Sequence, residues 1–99
     1  MRKQGRKQPT PVLLFGGKIR MQRNDPLNIT VDARTAATDR VTWRRVGYYT
    51  TVSDALTGAT REAEVQALED AGGDVGRLAM ALLKVAEELR RVRRKAVVV

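Results

Sequence analysis

Between residues 18 and 23 apolar and polar positions alternate, with Ile19 and Met21 on one side and Lys18, Arg20 and Gln22 on the other. That period of two predicts a strand with one face buried. Asn24-Asp25-Pro26 follows as turn chemistry, since Asp can bond the backbone two residues on and Pro presets φ. A second alternating run then sets Ile29, Val31 and Ala33 against Asn28, Thr30 and Asp32, and together the two runs predict an antiparallel hairpin with one wet face. After a loop over residues 35–39, residues 40–49 are rich in β-branched and aromatic side chains and read as a third strand. Its alternation breaks: Val41 and Trp43 share one side, whereas Val46 and Tyr48 fall on the other. The break predicts a bulge or kink between Arg44 and Gly47, or else a strand covered on both sides.

Beyond Tyr49 the period becomes helical. Thr50 or Thr51 can cap a helix, Ser53 and Asp54 suit its first turn, and Val52, Ala55, Leu56, Ala59 and Ala63 recur at helical spacing. Gly58 weakens this helix slightly, and Gly72-Gly73 ends it. Asp74 can cap a second helix running to about Arg94, whose seam of Val75, Leu78, Leu82, Val85, Leu89 and Val92 steps by threes and fours, widened by Leu83 and Ala86. The expected fold is α+β: a small three-stranded antiparallel sheet followed by a two-helix hairpin packed on one face. Residues 1–11 read as a basic flexible arm, 12–95 as a single domain, and 96–99 as an apolar tail.

Composition removes several chemistries. With no Cys and no His among 99 residues, disulfides, Cys/His zinc sites, thiol nucleophiles and imidazole bases are all excluded. Glu62, Glu64, Glu69 and Asp70 read as solvated carboxylates on a helix surface, and Ser53 lacks a histidine base. The expectation is a protein without catalytic activity or cofactor. No apolar stretch approaches the roughly 20 residues that span a bilayer. The run Val12-Leu13-Leu14-Phe15 also falls short of the about 7–15 residues of a signal-peptide core. A cytoplasmic setting in a bacterial host is expected.

Charge sharpens the picture. The chain is +8, and this net charge sits at its ends: Arg2, Lys3, Arg6 and Lys7 in residues 1–10, and a net +4 over residues 84–95, with a neutral body between. Two cationic handles on a neutral domain favour a polyanionic partner. On the second helix Arg77, Lys84, Arg91, Arg94 and Lys95 read as a cationic stripe beside the apolar seam, suited to tracking phosphates. The bland reading is a solvated face, its bases complementing the helix dipole and pairing with Glu87 and Glu88. The arm adds four bases that can follow a phosphate backbone.

The outer face of the sheet is expected to carry Lys18, Arg20, Thr30, Thr42 and Arg44, with Asp32 as its acid. Base stacking there needs exposed aromatics. Phe15, Trp43 and Tyr49 are expected on the core side, which leaves Tyr48 alone and a stacking platform unexpected. Gly73-Asp74-Val75-Gly76 is similar to the GXXG loop of KH domains, but Asp74 would repel phosphate, and a helix cap is the simpler account.

The junction from Trp43 to Leu56, with Gly47-Tyr48-Tyr49 ahead of Thr50-Thr51-Val52-Ser53-Asp54-Ala55-Leu56, resembles a group of small uncharacterised proteins of phages and mobile elements. In that group a strand ending in Gly-Tyr-Tyr leads into a Ser/Thr-capped helix and a second helix. The resemblance spans roughly residues 28–92 and departs at Asp54, where a Glu is usual. It implies a phage or mobile-element origin and this order of elements; no functional residue carries over. The expected function is therefore a small nucleic-acid-binding accessory protein, with a homodimer or host-protein interaction module built on the second helix as the alternative. A membrane-surface role ranks last, because the seam is needed for the core and lacks Trp and Phe.

Overall fold

A computed structural model describes residues 10–35 and 40–98, with side chains described as far as residue 95. The sheet has four strands, β1 (Val12–Leu14), β2 (Ile19–Asp25), β3 (Asn28–Arg34) and β4 (Trp43–Tyr49), followed by helices α1 (Val52–Ala71) and α2 (Val75–Val98). All neighbours pair antiparallel in the order β1-β2-β3-β4. The α+β order of sheet then helical hairpin is as expected. The extra strand corrects the three-strand reading: Val-Leu-Leu is three residues without a period, and only its pairing to β2 makes it a strand.

Local chemistry explains each junction. Between β1 and β2, Phe15, Gly16 and Gly17 all have positive φ, at 55°, 70° and 82°, a left-handed run that glycine adopts freely and Phe15 enters at some strain. In the β2–β3 turn the Asp25 carboxylate accepts from the Leu27 amide at 2.8 Å and from the Asn28 side chain at 3.1 Å. The Asn28 amide, then the Leu27 N–H, hold this carboxyl below its ordinary value of 3.8. β4 begins at Trp43 and not at residue 40, and just before its start Thr35 donates its N–H to the Thr42 carbonyl at 2.9 Å.

Thr51 caps α1 by accepting from the Asp54 amide at 3.0 Å, and Gly72 closes it in the left-handed region. Asp74 caps α2 through Oδ1, which accepts from the Gly76 and Arg77 amides at 2.8 and 3.1 Å. The Gly73–Gly76 segment is thus a helix cap. The helix continues to Val98, beyond its expected end near Arg94.

Ile19, Met21, Ile29, Val31 and Ala33 project to the inner face of the sheet, where Ile19 and Val31 are fully buried. Full burial of Ile19 and Val31 stabilises by about 1.5–3 kcal/mol each. Against them lies α1, whose buried residues are Ala55, Ala59, Ala63, Ala67 and Ala71. Each step of four advances this row by about 40° around the helix. Ala55, Ala59 and Ala63 accordingly join the core under the sheet, while Ala67 and Ala71 lie outside that cluster, toward the turn to α2. Val52, expected in the stripe, is exposed.

Small side chains bring α1 close to the sheet, and Gly58 shows how close. Tyr49, at the end of β4, lies over both Gly47 and Gly58, and a Cβ on Gly58 would overlap the phenol ring. Gly58→Ala should therefore destabilise the fold by about 1–3 kcal/mol through overpacking, although helix propensity alone favours Ala by about 1 kcal/mol. Urea unfolding measures the sign.

Candidate nucleic-acid interface

Three sides of α2 have different fates. One edge holds Val85, which is buried, and Leu78, Ala81, Leu89 and Val92, which are half-buried. Val75, at the start of the expected seam, is 79 % exposed, and Leu82 and Leu83 are also exposed. Chain order had assigned the whole seam to the core. The narrow row of alanines on α1 gives it less to pack against, and α2 meets α1 rather than the sheet.

The second side carries the expected stripe. At about 100° per residue, Arg77, Lys84, Arg91 and Lys95 fall on one flank, while Arg94 turns about 60° away from Arg91 and leaves it. All five are exposed. Arg91 is already engaged: its guanidinium donates to both oxygens of Glu88, at 2.8 and 2.9 Å, and Glu88 also accepts from the Phe15 amide at 3.4 Å. Among the described residues no ion pair holds Arg77, Lys84, Arg94 or Lys95. The arm bases Arg2, Lys3, Arg6 and Lys7 lie outside the described residues.

Arg77 and Lys84 overlook a groove of about 810 Å³ between α1, α2 and the β1–β2 turn. Ala63, Ala67 and Phe15 are among the residues that line it. Across one end Lys18 pairs with Asp70 at 3.5 Å, both ends of the pair being more than half exposed, so this contact adds little stability. Of the free cations of the helix, Arg77 and Lys84 border this concave surface, together with the acids Asp70, Asp74 and Glu88.

The outer face of the sheet holds a second cationic cluster, different from the one expected. Asp32 on β3 is 2 % exposed although it lies on the face away from α1. It is held between two arginines: Arg20 Nε on β2 donates to Oδ2 at 2.9 Å, and Arg45 Nε on β4 donates to Oδ1. The Arg20 guanidinium sits 4.5 Å from the Trp43 ring centre, and the Arg45 guanidinium 4.9 Å from that of Tyr48. The hydrogen bond to Asp32 also raises the Arg45 pKa. A buried carboxylate is tolerable only when paired, and two partners leave this cluster cationic.

A register shift opposite Val31 and Asp32 creates this arrangement. Gly47 pairs with Val31 and Arg45 with Asp32, so Val46 is the extra residue. The expected bulge is there. Its effect reverses two assignments: Trp43 joins Tyr48 on the outer face, and Arg44 turns inward, where it bonds Glu62 of α1 at 2.6 Å. Glu62, expected to be solvated, is mostly covered. Simple alternation missed Trp43 and Arg45 because parity locates a break without saying which residue is extra.

Among the described residues no acidic group of three or more gathers as a metal-binding cluster, and no helix is long and apolar enough to cross a membrane. No protein-family model matches the chain, and neither a curated protein nor a solved structure does. Asp32→Asn, which keeps the volume and removes the charge, should lower the unfolding free energy by about 1–3 kcal/mol. Denaturant titration measures it, and an unchanged midpoint would show that the paired arginines lose nothing.

Proposed function

We propose that this chain is a small nucleic-acid-binding accessory protein, without enzymatic activity, of phage or mobile-element origin and acting in the cytoplasm of a bacterial host. It contacts phosphates through the flank of α2 and through the basic arm. The observation that carries this reading is the pair Arg77 and Lys84, exposed bases on one helix flank with no carboxylate partner among the described residues; Lys95, in the last turn, also complements the helix dipole. Bases that serve only to balance a helix are normally paired or confined to its last turn. Arg77 stands in the first turn of α2, where the helix dipole disfavours a cation. Arg91, tied to Glu88, contributes less to binding than its position in the stripe suggests.

Binding of this kind follows counterion release, so affinity falls steeply with salt and depends little on sequence. The double variant Arg77→Gln, Lys84→Gln should weaken binding to a DNA duplex, and it should reduce the slope of log K against log salt by about 1.8. Fluorescence anisotropy over a salt series measures both, and an unchanged slope removes the flank from the reading.

A second reading has its own observation. The third side of α2 exposes Val75, Leu82 and Leu83 beside Ala79 and Ala86, an apolar strip suited to pairing with another copy or with a host protein. If it joins two copies, sedimentation gives a dimer, and Leu83→Glu gives a monomer of unchanged secondary structure; a wild-type monomer at high micromolar concentration excludes self-pairing.

A further inference from the structure

The geometry points to the outer face of the sheet as a binding site for single-stranded nucleic acid, with bases stacked on Tyr48 and Trp43 and phosphates met by Arg20, Arg34 and Arg45. This rests on the reading that the chain binds nucleic acid, and it adds a site that engages bases, on the opposite side of the sheet from the helices. Arg34 pairs in register with Trp43 and is exposed on the same face.

Two features support this occupant. The first is the pair of rings. Each has a guanidinium near one face, at 4.5 Å for Trp43 and 4.9 Å for Tyr48, and Tyr48 is still 60 % exposed. Trp43 is half-buried, so Tyr48 is the ring with area free for a base, and every base presents a π-face. Cross-strand stacking of arginine on an aromatic ring stabilises a sheet in its own right, but that role needs no ring left bare to solvent.

The second feature is charge. Asp32 engages each arginine through Nε alone, so the terminal guanidinium nitrogens are not consumed by it. Arg20, Arg34 and Arg45 against Asp32 leave the face net cationic. That balance matches a phosphate backbone and disfavours a basic or purely apolar partner. The bulge at Val46 places both rings on one face, the re-aiming effect that bulges have near functional sites. A duplex buries its base faces, which makes a single strand the fitting form.

The test uses the full-length chain, a labelled oligonucleotide of about 12 nucleotides, the length class that stacking surfaces accommodate, and a duplex of equal length. Trp43 is the one tryptophan in the chain, so its emission reports directly on this face. The single strand should quench Trp43. Tyr48→Ala should weaken single-strand binding about 5- to 100-fold while leaving duplex binding unchanged, and Arg77→Gln with Lys84→Gln should weaken both. Single-strand binding with unquenched Trp43 and an unaltered Tyr48→Ala affinity would overturn the sheet site and leave the phosphate reading standing. Absence of binding to either oligonucleotide would overturn both. A dimer that Tyr48→Ala dissociates would assign the face to a second copy and likewise overturn the proposal. Circular dichroism of each variant shows that it is folded.

Discussion

A single buried carboxylate on β3 organises the exposed side of this protein. Asp32 has almost no contact with solvent, so its charge must be answered locally, and the answer comes from the strands on both sides, Arg20 of β2 and Arg45 of β4. The pairing ties three strands together at one level of the sheet. It disfavours the slip of β4 that would set Val46 opposite Asp32, which would leave the carboxylate with a single partner. The rings of Trp43 and Tyr48 follow from it, each lying on an arginine whose position Asp32 determines.

On the opposite side a different constraint operates. The row of alanines lets α1 lie close to the sheet, Gly58 accommodates the Tyr49 ring, and Arg44 joins β4 to α1 through Glu62. Close approach leaves α1 with little width to offer α2. That helix buries only one edge, and its other two sides, one basic and one apolar, face outward. Incomplete packing of α2 is therefore a consequence of how the first helix meets the sheet.

Much of this was legible in the chain. Period-two alternation located β2 and β3, the Thr51 and Asp74 caps located both helices, and the parity break in β4 located the bulge. Other features have no local signature. Three residues carry no period, so β1 becomes visible only through its partner. Parity cannot identify the extra residue in a bulge, so the faces of Trp43 and Arg44 were reversed. Regular spacing along α2 marked an apolar seam, but what fills a seam depends on the width of its neighbour, and Val75 and Leu82 stayed exposed. The unpaired state of Arg77 and Lys84 likewise depends on where Glu62, Asp70 and Glu88 find partners in space.

The two cationic surfaces lie on opposite sides of the sheet, one a flank of α2 and the other carrying the rings of Trp43 and Tyr48. Ultraviolet crosslinking to a uridine-rich single strand, followed by mass-spectrometric mapping of the adducts, separates them most directly, because efficient photoaddition requires a base in contact with a side chain. Adducts on the peptide containing Trp43 and Tyr48 are the predicted result. Adducts confined to peptides of α2 or of the arm, with none on β4, would contradict the role given to the outer face.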